Sequence, residues 1–162
     1  MNLEVGDILG YKPHFTKNWL AALVKLGARQ EYTHVMIYLG DNQIIEAGPK
    51  GIGIRALPEM NEKEWEVRRL KRGLTKTQME KVMNHSHSFE GRIYAFHQAI
   101  LLFLYKWFNK KFPMIKGNIF LNCSEFISRV FYNALEVDLS KESHDYTSPD
   151  DIMYSKELEE IQ

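Results

Sequence analysis

The chain contains a single cysteine among its 162 residues, which excludes an intrachain disulfide and a cysteine-rich zinc site. No segment has the run of about 18 apolar residues that predicts a membrane span. A glycine-rich phosphate loop is also missing, because Gly51 and Gly53 are not followed by a helical pattern. Lysine plus arginine (21) equals aspartate plus glutamate (21), so net charge gives no support for nucleic-acid binding.

The remaining composition is that of an ordinary globular protein, with 44% apolar and 26% charged residues. A chain of this length can bury a substantial core, so we predict a single domain over residues 1–162. No cofactor is predicted. The first ten residues lack a basic segment followed by an apolar core, so no signal peptide is predicted. The expected location is cytoplasmic, with export by a non-standard route left open.

The two halves of the chain have different hydrophobic patterns. The first half is rich in β-branched and aromatic residues separated by turn residues, which is typical of an antiparallel meander. Its predicted strands are a short one near 6–9 and longer ones at 31–39, 43–47, 52–57 and 65–69. The second half has helical periodicity. Its predicted helices span 75–89, 92–108 and the segment from 123 onwards, with a shorter helix at 19–26. The fold class is therefore α+β.

Cys123 lies where the third of these helices is predicted to begin. Apolar residues then recur with a spacing of three and four, which indicates a helix with one buried face. Asn122 and Ser124 are types that favour helix N-termini. The first turn of a helix has free backbone N–H groups and a positive dipole, and both stabilise a thiolate. Taken alone, a lone cysteine is more often a small core residue than a nucleophile.

A cysteine nucleophile needs a base, and the base usually needs an orienting partner. His34 lies in a predicted strand, and Glu46 lies in the strand that returns from it. If the hairpin turns on three residues, the two side chains point to the same face, either opposite or diagonal. A two-residue turn at Asp41 and Asn42 would put them on opposite faces. The proposed pair therefore depends on the length of the turn.

Other polar residues give weaker predictions. His85 and His87 lie in a predicted helix without further ligands nearby, so no metal site is predicted. His97 is expected to be a core histidine, and His14 and His144 are expected in loops. Four lysines form a basic cluster near Trp107, where a solvated face is the usual interpretation and contact with an anionic polymer or a lipid surface is the alternative. These are Lys106, Lys110, Lys111 and Lys116.

Five short motifs together resemble the circularly permuted branch of the NlpC-type papain-like superfamily, the YiiX-like proteins. They are GDI at 6–8, YTHVMIYLG at 32–40, IEA at 45–47, NCSEF at 122–126 and SPDDI at 148–152. Their order, with a histidine strand, a polar strand and then a cysteine helix, is that of the permuted family. The resemblance implies a permuted papain-like fold. In it, a barrel-like antiparallel sheet of about five or six strands packs against the cysteine helix and accessory helices.

The resemblance also implies roles for residues. It makes Cys123 the nucleophile, His34 the base and Glu46 the polar residue that orients it, in agreement with the strand geometry. The family often has a Tyr-Asp pair after the middle glycine. Here Tyr94 is kept as a substrate-binding candidate, but alanine follows it. The related lecithin retinol acyltransferase group acts on lipids and has histidine where Glu46 stands, so Glu46 favours the YiiX-like side.

The expected function is hydrolysis of amide bonds in small peptides or cell-wall-type peptides by a Cys-His-Glu triad. Partners would be a small peptide, amino-acid-containing or acyl substrate, with no nucleic acid and no transmembrane segment. One alternative is a lipid-directed esterase or acyltransferase that uses the same triad. Another is a papain-fold binding module without catalysis. The sequence leaves the oligomeric state open.

Overall fold

The computed structural model of the protein describes residues 2–12, 30–60, 63–94, 108, 120–140 and 143–161. Its strands are β1 (Ile8–Tyr11), β2 (His34–Gly40), β3 (Gln43–Gly48), β4 (Gly51–Ala56), β5 (Trp65–Leu70), β6 (Ile93–Tyr94), β7 (Phe120–Leu121) and β8 (Leu158–Ile161). The described α-helices are α1 (Lys76–His87), α2 (Cys123–Leu135) and α3 (Pro149–Met153). A 3-10 turn spans His144–Tyr146.

Six strands form one antiparallel sheet in the order β4-β3-β2-β1-β5-β8. The α+β class and the strand number predicted from the sequence are thus confirmed, and the sheet is open rather than closed. Strand β8, which the sequence analysis did not predict, pairs with β5 from Val67 and Ile161 to Leu70 and Leu158. In the part of the chain described, no helix is long and apolar enough to cross a membrane.

The β2–β3 hairpin corrects one premise of the sequence analysis. Its turn contains two residues, Asp41 and Asn42, both in the left-handed region with φ of 49° and 56°. The three-residue turn that the His34–Glu46 pair was expected to require is therefore not formed. A bulge at Leu39 supplies the extra residue instead, so that Tyr38 pairs with Ile44 and paired positions sum to an even number. His34 and Glu46 consequently share a face, as a diagonal pair.

The sheet has a core on each face. On one face, Ile8, Val35 and Ile45 pack with the apolar side of α2 in the larger cluster. On the other face, Leu9, Met36 and Ile44 form a smaller cluster that segment 57–60 and Trp65 cover. Successive side chains of β1, β2 and β3 therefore pack alternately into two different cores, because neighbouring residues of a strand point to opposite faces.

Asn122, a residue type that favours helix N-termini, caps α2. Thr75 and Gln78 form a reciprocal capping box at α1. The helix predicted from residue 92 is wrong at its start, because Ile93 and Tyr94 form β6, which pairs in parallel with β7. Most of its remainder lies outside the described residues. The predicted helix at 19–26, His14, His97 and the lysine cluster lie outside them as well.

Candidate functional site

Cys123 is the first residue of α2. Asn122 caps this helix in an extended conformation, and its side-chain oxygen accepts a hydrogen bond from the Glu125 N–H at 2.8 Å. The hydroxyl of Ser124 donates to the Thr147 carbonyl at 2.8 Å, which ties this end of the helix to the segment before α3. The side chain of Cys123 is buried, with 4% exposure. The thiol is thus held at a rigid helix N-terminus, where the dipole favours the thiolate.

His34 opens β2, and its ring is bonded to Glu46 of β3. The distance from His34 Nε2 to Glu46 Oε2 is 2.7 Å, and the two side chains are 23% and 22% exposed. Continued from the Ile37–Ile45 pair, the register of β2 and β3 puts Gly48 across from His34. A Cβ atom on Gly48 would lie 3.3 Å from Glu46 Oε1. The missing side chain at Gly48 therefore leaves the space through which Glu46 reaches the imidazole.

The imidazole also lies close enough to the thiol of Cys123 for each to shift the pKa of the other. Because Nε2 of His34 is taken by Glu46, Nδ1 is the ring nitrogen left for the sulfur. The backbone N–H groups of Val35 and Ser124 also lower the pKa of this thiol. The structure thus brings together the three side chains singled out from the sequence. Their catalytic role stays a prediction.

The electrostatics of the site favour a thiolate beside an imidazolium. Burial disfavours the thiolate, but the charge and hydrogen bond of His34 outweigh it and lower the pKa of Cys123. Burial likewise opposes the charge on His34, yet Cys123 and Glu46 raise its pKa to about 10. The hydrogen bond from His34 lowers the pKa of Glu46. Each group stabilises the charged form of its neighbour.

Tyr94, the candidate substrate-binding residue, lies in β6. Its backbone pairs with Leu121, next to the residue that caps α2. The backbone of Tyr94 therefore lies beside the residues that lead into the cysteine helix α2. Its side chain lies outside what the structure describes, and the role stays a prediction.

Comparison with known proteins gives a result for the fold. The sequence matches no protein-family model, and no curated protein matches it. The crystal structure of the metalloprotein YiiX from Escherichia coli O157:H7 superposes with a TM-score of 0.71, covering 100% of this chain and 98% of YiiX. The chain has the YiiX fold. At 16% identity, the match to YiiX concerns the fold alone.

The name of YiiX raises the question of a metal. Among the described residues of this chain, no group of three or more histidine, cysteine, aspartate or glutamate side chains is arranged to hold a metal ion. The Nε2 atom of His34 is taken by Glu46, and His87 bonds through Nδ1 to Glu90. The residues described here therefore do not fit a metal centre.

A second polar cluster, which sequence reasoning missed, lies on another side of α2. Glu125 is 1% exposed, and its Oε1 accepts from Arg129 Nε at 3.0 Å. Its Oε2 has no hydrogen-bond partner among the described residues. Arg129 also donates to Asp145 at 3.0 Å. Burial raises the pKa of Glu125 to about 7, against the attraction of Arg129. The spacing of Glu125 and Arg129 signals their pairing, but nothing in the sequence signals Asp145.

The raised pKa of Glu125 predicts a pH effect on stability. Between its unfolded pKa near 4.3 and about 7, the folded state binds more protons, so this group lowers stability as pH rises. In Glu125→Gln, the free energy of unfolding should decrease less steeply with pH over that range. The variant should be more stable than wild type at pH 8 by on the order of 2 kcal/mol. Urea unfolding at several pH values, with the exposed Glu159→Gln as control, measures it. Identical slopes for Glu125→Gln and wild type would refute this assignment.

Glu46 gives a prediction for activity. Glu46→Ala should leave residual turnover, since the thiol and imidazole remain and only the orientation of His34 is lost. The expected loss is roughly 10²-fold, the low end of what general acid–base catalysis contributes. Steady-state kinetics measure it, with exposed Glu159→Ala as control. An unchanged kcat/KM would show that Glu46 does not orient His34 for the reaction.

Proposed function

We propose that the protein is a cysteine hydrolase of acyl bonds, acting on amide bonds of small peptides or cell-wall-type peptides. The observation that carries this proposal is His34, held at 2.7 Å by Glu46 and close enough to Cys123 for each to stabilise the charged form of the other. A nucleophile, a base and an orienting group linked in this order are the parts that acyl transfer needs.

In the proposed reaction, the Cys123 thiolate attacks the carbonyl carbon of the substrate and a C–S bond forms. The carbonyl electron pair moves to the oxygen, where the Cys123 backbone N–H at the start of α2 is an available donor. The His34 imidazolium then gives its proton to the leaving nitrogen as the C–N bond breaks. The products of this half-reaction are a thioester and a free amine.

The second half-reaction releases the acyl group. Neutral His34 takes a proton from a water molecule, which attacks the thioester carbonyl. The C–S bond breaks, the thiolate re-forms beside the imidazolium, and a carboxylic acid leaves. Glu46 keeps its hydrogen bond to Nε2 throughout, so the ring presents Nδ1 to the sulfur in both steps.

Trapping the thioester tests this proposal. Wild-type protein and Cys123→Ala are mixed separately with N-acetylated dipeptide amides and with a phospholipid ester, and intact masses are recorded after rapid acid quench. An acyl adduct from a peptide amide on the wild type alone supports the proposal. An adduct from the phospholipid alone would favour the lipid-directed esterase or acyltransferase instead. A thiol that reacts with iodoacetamide no faster than free cysteine at neutral pH would favour a non-catalytic binding module.

A further inference from the structure

A pocket of about 270 Å³ lies directly beside the His34–Glu46 pair. Its walls include Met36 and Ile44 from the smaller core cluster. Tyr11 and Trp65 add an aromatic wall, with ring centroids 4.9 Å apart. The pocket is small compared with the typical range for drug-sized ligands. Its size and lining suit one apolar or aromatic side chain rather than a long polymer.

One cation lines this pocket besides His34. Arg55 of β4 donates from Nη1 to the carbonyl of Ile54 at 2.8 Å. A Cβ atom at Gly53 would lie only 2.7 Å from the same Nη1, so the guanidinium rests in space that a side chain would occupy. Gly53 pairs with Glu46 across the β3–β4 ladder. Arg55 is therefore held over the sheet near the catalytic candidate pair, with further N–H donors available to a ligand.

The position of the pocket relative to the reacting atoms indicates which part of a substrate it meets. His34 and Glu46 line the pocket, while Cys123 is not among its lining residues. In acyl transfer the acyl group becomes bonded to sulfur, and the leaving group receives its proton from the imidazole. The leaving group must therefore lie on the imidazole side of the sulfur. The pocket is lined by the imidazole and not by Cys123, so of these two groups it lies beside the imidazole.

The charge of the pocket indicates what kind of leaving group fits. With His34 protonated, the lining carries an imidazolium and a guanidinium against one carboxylate, which is already engaged by His34. The other lining residues are uncharged. A guanidinium with available donors binds a carboxylate by charge-assisted and often paired hydrogen bonds.

We propose that this pocket binds the leaving group and that Arg55 selects one with a free carboxylate and an apolar or aromatic side chain. The preferred substrate class would then be short peptides or N-acyl amino acids whose last residue is apolar, cleaved at their final amide bond. This inference rests on the proposed function, because a leaving group exists only if the site carries out acyl transfer.

Kinetics with paired substrates test the selection. N-acetylglycyl-phenylalanine is compared with the same compound carrying a C-terminal carboxamide. Wild type should prefer the free acid in kcat/KM by roughly 10- to 100-fold, the range for hydrogen bonds to charged groups. Arg55→Gln should bring the ratio near one, while Arg72→Gln, at an exposed turn residue, should keep it. Gly53→Ala should lower the ratio by displacing the guanidinium. A preference that survives Arg55→Gln would overturn the proposal.

A binding measurement separates this inference from the proposed function. Calorimetry on Cys123→Ala titrates L-phenylalanine and L-phenylalaninamide, so turnover plays no part. Tighter binding of the free acid, lost in Cys123→Ala/Arg55→Gln, supports the subsite even if no thioester ever forms. Equal affinity for the two probes, or no binding of either, overturns the subsite while leaving the thioester experiment to decide the reaction. Near-wild-type thermal unfolding of each variant shows that the fold is kept.

Discussion

Cys123→Ala should remove turnover almost completely. The proposed reaction needs a covalent bond to sulfur, and no other cysteine is present in the chain to replace it. Loss of a nucleophile that acts as a unit with its base typically costs roughly 10⁴-fold or more in kcat. Steady-state hydrolysis of the peptide amides that acylate the wild type is the measurement.

Two controls make the result on Cys123 interpretable. Alanine is small and apolar, so it fits the buried position that Cys123 takes in the larger core cluster, and near-native thermal unfolding would show this. Cys123→Ser keeps a hydroxyl nucleophile of far lower acidity, so it should also lose nearly all activity. Full activity in either folded variant would contradict the thioester mechanism.

His34→Gln should change how the reactivity of Cys123 depends on pH. In wild type, the lowered pKa of Cys123 and the pKa of His34 near 10 favour the thiolate–imidazolium pair. The rate of alkylation by iodoacetamide should therefore be nearly constant between pH 7 and 9. In His34→Gln, burial is no longer opposed by the imidazolium, so the pKa of Cys123 should rise.

The expected size of that change follows from the thiolate fraction. A thiol with the ordinary pKa near 8.5 is only about 3% ionised at pH 7, so alkylation of His34→Gln should slow by roughly 30-fold at that pH. Its rate should then rise about tenfold per pH unit up to the pKa. His87→Gln, which alters an exposed histidine of α1, should behave as wild type. A flat profile in His34→Gln would mean that the imidazolium does not lower the pKa of Cys123.

Local patterns predicted the elements that hold the candidate site. Enrichment in β-branched and aromatic residues, with turn residues between the segments, identified β2 and β3. The period of 3.6 together with Asn122 placed the start of α2 at Cys123. These signals are strong because each element must bury one face. Residue parity placed His34 and Glu46 on one face only under a condition on the turn. The structure meets that condition through a bulge at Leu39 rather than through turn length.

Two kinds of feature could not be predicted from the sequence: glycines whose missing side chain leaves room for another group, and contacts between distant segments. Gly48 and Gly53 matter because the carboxylate of Glu46 and the guanidinium of Arg55 occupy the space beside them. Sequence shows a glycine but not what fills its place. The pocket beside His34 needs side chains from β1, β2, β3, β4 and β5 at once. No periodicity within one segment carries such information.

The sequence by itself determined the α+β class, the histidine strand, the glutamate strand and a cysteine at a helix start. Local propensity and alternation are enough for these, because each is decided within a few residues of chain. Only the tertiary structure decided that the imidazole of His34 lies beside Cys123 while its Nε2 atom bonds Glu46. That meeting depends on α2 packing against β2, which is a long-range contact between segments far apart in the chain. The tertiary structure likewise brought Arg55 and His34 into the lining of one pocket.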